Sequence, residues 1–249
     1  MPVMSGPGVD REKLADRFVA MRARSRALFD LLAPDAYYER PIALRHPIVF
    51  YEGHLAAFNF NTLVKRALGQ RGIDADLERL FARGIDPEDD QPSAPFPWPA
   101  RREVQAFAAE ADRRVLDALL TAPIDQSGHP LLDRAEAVHT ILEHEAMHQE
   151  TLLYMWHQLA YDWKVPPADR AIVSGGTPPR QETIAVPRGR ATLGARRGAI
   201  PFGWDNEFEA VDVERDGSAT FRGLSAARYR LDVHRAGQRV GSVRLDFLA

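Results

Sequence analysis

Residues 131–160 read LLDRAEAVHTILEHEAMHQETLLYMWHQLA, and their amphipathic pattern predicts one long helix. At its centre His144-Glu145-Ala146-Met147-His148 spells H-E-x-x-H, and Glu150 extends this to H-x-x-x-H-x-E. Residues four apart on an α-helix stand about 40° apart in projection, so His144 and His148 share a face. Neutral imidazoles placed in this way can grip one divalent metal. Glu150 lies two residues beyond His148, about 200° round the helix, and is a poor direct ligand. Its remaining roles are a buried hydrogen bond to another helix, contact with a substrate group, or solvation. The apolar run that starts at Leu152 favours burial.

The residues before this helix carry the same period. Asp10 to Leu32 places Leu14, Phe18, Met21, Leu28 and Leu31 at helical spacing, and Ala33-Pro34-Asp35 stops it. Pro47, a favoured first-turn residue, opens a second helix that runs to about Leu68 before Gly69. A short helix is expected around Asp76 to Arg83, ending at Gly84. The segment from Asp86 to Pro99 holds five prolines and reads as an extended connection. Another long helix covers about Ala100 to Leu120. Four long amphipathic helices predict a mainly α protein built on a four-helix bundle over residues 1–165. From Lys164-Val165-Pro166-Pro167 onward glycine and proline become frequent. Tyr229, Leu231 and Val233 then alternate with polar residues, Ala236-Gly237 offers a turn, and Val240 to Phe247 resumes the apolar pattern. Residues 166–249 are expected to form a small β-rich tail.

Composition narrows the chemistry. The 249 residues carry a formal net charge of −3 and no cysteine. The charge argues against a nucleic-acid binder. The absence of cysteine removes disulfides, thiolate metal sites and a cysteine nucleophile, so any metal must take histidine or carboxylate ligands. No run approaches membrane-spanning length, and MPVMSGPGVDREK lacks the apolar core of a signal peptide. A cytoplasmic location is the expectation.

A metal needs a third ligand besides His144 and His148. His139 and His157 fall off their face and read as structural or solvated. H-E-x-x-H is also the helix signature of zinc proteases, but the H-x-x-G-x-x-H extension is absent, since Gln149, Glu150 and Thr151 follow His148. Glu182 and Glu207 are formally available, yet they lie in the glycine-rich tail. The second helix offers FYEGHLAAFNFNTL, in which His54 sits among Phe50, Leu55, Phe58 and Leu63. A histidine there is either a core residue satisfied by a hydrogen bond or a ligand facing the pair, and bundle interiors build metal sites from facing helices. The ligand role is the reading preferred. His46, just before Pro47, is read as structural.

Four segments occur in a telling order: LRHPIVFYEGHLAAFNFNTL, FARGIDPEDDQPS followed by PWP, HTILEHEAMHQETLLYM, and IPFGWDNEFEAVDV. Together they resemble the nonheme iron sulfoxide synthases of ergothioneine, ovothiol and selenoneine biosynthesis, over roughly residues 10–213. Those enzymes join a DinB-like four-helix bundle to a domain similar to the sulfatase-modifying fold. The resemblance implies an iron(II) site on His54, His144 and His148, dioxygen as oxidant, and a thiol or selenol coupled to a histidine-derived imidazole. Iron comes from the resemblance, because spacing alone leaves zinc or another divalent metal open.

The chain departs from that pattern downstream. Asp205-Asn206-Glu207 resembles the start of the second domain, but 42 residues follow Glu207 and those after Val213 do not continue the match. The expectation is a truncated sulfatase-modifying-like tail in 166–249, with a protein partner completing it. Tyr229 reads as a strand residue rather than a displaced catalytic tyrosine, and no catalytic residue is assigned. Two other functions stay open: a non-catalytic metal-binding partner subunit, and a different DinB-like metal-dependent thiol transferase or hydrolase.

Overall fold

The computed structural model describes residues 9–82, 98–167, 189–208, 210–215, 228–235 and 238–246. The predicted connection from Asp86 to Pro99 falls outside them except for its last two residues, as do Gly84, Glu182 and the Ala236-Gly237 turn. The chain divides into two compact units, residues 1–171 and 172–249.

The first unit is a mainly helical bundle. Its long helices are α1 (Arg11–Phe29), α2 (Ile48–Asn59), α4 (Arg101–Thr121) and α5 (Glu136–His157), with the short α3 (Ala75–Phe81) between α2 and α4. Local chemistry sets the ends. The Asp10 carboxylate accepts the Lys13 N–H at the start of α1, and Asp74 accepts those of Asp76 and Leu77 at the start of α3. Glu103 reaches back to the Ala100 N–H to close the first turn of α4. Beyond Asn59, α2 widens into a π-helical stretch, Phe60–Ala67, in which the Leu68 N–H bonds five residues back to Leu63. Gly69 then takes φ +65°, a conformation glycine adopts without steric cost, and the chain turns.

Helix α5 starts at Glu136, later than the periodicity predicts. Arg134 and Ala135 sit at φ 56° and 57°, which breaks the helical path. Before them the His129 ring accepts the N–H groups of Leu131 and Leu132, holding that segment in a turn.

α1 packs on α4 and α5, and α2 packs on α4 and α5. The interior holds two apolar clusters. One gathers Phe18, Phe60, Leu63, Val115, Leu119, Ile141 and Leu142. The other gathers Phe29, Phe50, Leu55, Phe81, Phe107, Leu152 and Trp156. Along α1 the residues between these clusters are Arg22 and Ser25, and along α5 they are His144, Glu145, His148 and Gln149, all buried. A polar belt therefore crosses the middle of the bundle. Burying such groups is tolerable only if they find partners.

In the second unit four strands form an antiparallel sheet in the order β2-β1-β3-β4: β1 (Gly189–Leu193), β2 (Val211–Arg215), β3 (Arg228–Arg235) and β4 (Gln238–Asp246). The alternating Tyr229, Leu231 and Val233 lie in β3, opposite Leu245, Val243 and Gly241 of β4. Among the described residues no helix is long and apolar enough to cross a membrane.

Candidate metal centre

His54 leaves the middle of α2, and His144 and His148 leave successive turns of α5. All three are buried, and one nitrogen from each lies within 4.8 Å of the others. Nε2 of His144 stands 3.3 Å from Nε2 of His54 and 3.1 Å from Nε2 of His148. Two imidazole nitrogens each about 2.1 Å from one ion stand about 3.0 Å apart at a right angle and about 3.4 Å apart at a tetrahedral angle. Both separations fall in that window. The cluster can hold a divalent metal ion.

The charge state suits this role. Burial and the nearby His148 and His54 push the His144 imidazole down to about 2. Burial, His54 and Arg45 push His148 down to about 3. Burial is also the main reason that His54 sits below the ordinary 6.5. Neutral imidazoles at neutral pH leave their lone pairs available to a cation. Nδ1 of His54 stands 2.7 Å from the Phe81 carbonyl oxygen, which can only accept, so the Nδ1–H donates and Nε2 carries the lone pair. His54 is thus both hydrogen-bonded and turned towards the pair. Around the cluster, the Phe58 ring stacks on His144 with centroids 3.5 Å apart, Phe50 stacks on His54 at 4.9 Å, and Tyr51 lies 5.8 Å from His148.

Glu145 points elsewhere. Its carboxylate accepts from Arg22 Nη1 at 2.8 Å, Ser25 Oγ at 2.5 Å and Asn59 Nδ2 at 2.7 Å, while Arg22 Nε donates to Asp112 at 2.7 Å. Burial works against the Arg22 charge, but Glu145 and Asp112 more than offset it and hold the guanidinium charged. Gln149 adds bonds to the Met21 carbonyl and the Ser25 hydroxyl. The acidic member of H-E-x-x-H is consumed in joining α5 to α1 and α2, and through Arg22 to Asp112 of α4. It has no freedom to serve as the base of a protease.

Glu150 is half-buried and takes no hydrogen bond among the described residues. The buried polar contacts on this part of α5 belong to Glu145 and Gln149. His46 is buried with its ring 4.1 Å from Phe50, His139 is half-buried, and His157 is exposed. Glu207 closes its own turn by accepting the Trp204 N–H.

A profile of the DinB superfamily matches residues 17–152, a span that contains most of α1, all of α2, α3 and α4, and most of α5, with all three histidines. The chain belongs to the DinB superfamily. It is 33% identical over 135 residues to ergothioneine biosynthesis protein 1 of Neurospora crassa, covering 51% of this chain and 15% of that protein. It is 31% identical over 136 residues to the protein of the same name from Schizosaccharomyces pombe, covering 51% of this chain and 17% of that protein. The chain therefore spans about one sixth of the length of these curated relatives. The findings join a DinB-superfamily bundle, homology to two fungal ergothioneine biosynthesis proteins and a buried three-histidine cluster.

Proposed function

We propose that this DinB bundle is the metal-binding part of a nonheme iron(II), dioxygen-dependent sulfoxide-synthase-like protein that couples a thiol or selenol to a histidine-derived imidazole. The observation that carries this reading is the convergence of three neutral Nε2 atoms in a bundle homologous to two ergothioneine biosynthesis proteins. Iron(II), when bound, would supply the redox chemistry between dioxygen and the sulfur or selenium donor.

The protein's own part is positional. His54, His144 and His148 present their lone pairs from one side, and Phe50 and Phe58 cover two of the imidazoles and keep water from that side. Glu150, without a hydrogen-bond partner among the described residues, is the group on α5 assigned to substrate contact. Residues 166–249 correspond in this reading to a sulfatase-modifying-like segment, and a protein partner is part of the working assembly. The location is cytoplasmic.

A second reading rests on the three-histidine cluster alone, which accounts for metal binding and assigns no turnover. In that reading the bundle is a metal-binding partner subunit without turnover of its own. The test is anaerobic loading with iron(II), then oxygen consumption with a thiol and a histidine betaine, each alone and both together. Uptake that requires both substrates is expected. Iron binding without substrate-dependent uptake would rule out turnover by the isolated chain and leave the partner-subunit reading.

A further inference from the structure

Gly53 occupies the middle of α2, one residue before His54, where glycine costs roughly 1 kcal/mol relative to alanine. The packing around it supplies a reason. A Cβ at Gly53 would stand 2.4 to 2.5 Å from Cζ, Cε1 and Cε2 of the Phe81 ring, far inside contact distance. The Phe81 ring lies directly on the bare backbone of α2. The same residue holds its carbonyl oxygen 2.7 Å from Nδ1 of His54. Phe81 is the last residue of α3, so its carbonyl has no partner further along that helix and is free to accept from a side chain. Phe50 and Phe107 pack against the Phe81 ring at 6.4 and 6.1 Å and keep it in place.

His54 differs in this respect from the other two histidines. Nδ1 of His144 and Nδ1 of His148 are buried without a hydrogen-bond partner among the described residues. The surroundings impose a tautomer on one imidazole of the three.

We propose that Gly53 and Phe81 are positioning residues: the missing side chain at 53 lets α3 approach α2 closely enough for the Phe81 carbonyl to lock His54 with its Nε2 lone pair facing His144 and His148. An outer hydrogen bond of this kind fixes both the tautomer and the ring orientation of a metal-binding histidine. The hydrogen-bond lock stands on geometry alone, and its service to a metal rests on the function proposed above.

The test uses the full chain at neutral pH. In metal-free protein, nitrogen-15 spectra of the imidazoles, with the His54 signals identified by their loss in His54→Gln, should show His54 as the Nδ1–H tautomer. Gly53→Ala should move His54 towards the ordinary mixture of tautomers and weaken cobalt(II) binding about 10–100-fold. Trimming the ring in Gly53→Ala/Phe81→Leu makes room for the new methyl group and should restore both readouts, which a general loss of stability would not do. An Nε2–H tautomer at His54 in the unaltered protein overturns the proposal without Gly53→Ala having to fold. A folded Gly53→Ala with unchanged tautomer and unchanged affinity overturns it as well. If the tautomer shifts as expected but the unaltered chain binds no divalent metal, the lock stands and the metal reading fails.

Discussion

Glu145→Ala should destabilise the bundle by about 3–5 kcal/mol, the loss typical of breaking a buried ion pair from one side. The carboxylate accepts three hydrogen bonds from two other helices, so its removal leaves Arg22 and Ser25 of α1 and Asn59 of α2 short of an acceptor at once. Asp112 still faces Arg22 Nε, but it cannot reach across to replace the bond at Nη1 that runs to α5. Glu145→Gln keeps one acceptor oxygen, which can still serve Arg22 and Ser25, while it loses the charge opposite Arg22 and the acceptor for Asn59, so its cost should be smaller, about 1–3 kcal/mol. Denaturant unfolding of the three proteins gives the comparison. A protease base at this position predicts the reverse pattern, a chain of ordinary stability that has lost a hydrolytic activity. An unchanged unfolding midpoint in Glu145→Ala would contradict the structural role assigned here.

His54→Ala should lower the affinity for a divalent metal by more than about 100-fold, above the 10–100-fold that loss of an outer hydrogen bond typically costs. The reason is that His144 and His148, one turn apart on a single helix, supply two of three nitrogens, and the third has to come from α2. His54→Asn separates the two functions of this side chain. The asparagine amide nitrogen takes the place of Nδ1 and can still donate to the Phe81 carbonyl, so packing at the end of α3 is retained while the Nε2 ligand is gone. Both variants should therefore bind metal poorly, with His54→Asn the more stable of the two. Competition against a chromophoric chelator measures the affinity. Equal affinity in His54→Ala and the unaltered chain would remove His54 from the site.

Much of the bundle is legible in the sequence, for identifiable reasons. Asp10, Pro47 and Gly69 mark helix ends through their own local chemistry, and the structure puts boundaries at or next to each. The four-residue spacing of His144 and His148 needs only helical geometry, and His54 stood out as a polar residue in an apolar run. The delayed start of α5 was less visible, because the apolar period continues through Arg134 and Ala135 although their backbone leaves the helix. The π-helical stretch after Asn59 likewise has no signature in the spacing of apolar residues.

The polar belt was half visible. Arg22 and Ser25 interrupt the buried stripe of α1 between Phe18 and Leu28, which signals a buried polar partner. Nothing in the spacing says that the partner is Glu145, some 120 residues on, because that pairing exists only once α1 and α5 are packed. The Phe81 carbonyl is less legible still, since a main-chain acceptor carries no residue signature. Its single trace in the sequence is the glycine beside His54.

X-ray absorption on the chain loaded anaerobically with one equivalent of iron(II) or cobalt(II) addresses the three-histidine centre directly. Three imidazole nitrogens at about 2.0–2.2 Å are expected, dropping to two in His54→Gln. Two or fewer imidazoles in the unaltered chain, or a carboxylate from Glu145 bound to the metal, would contradict the site described here.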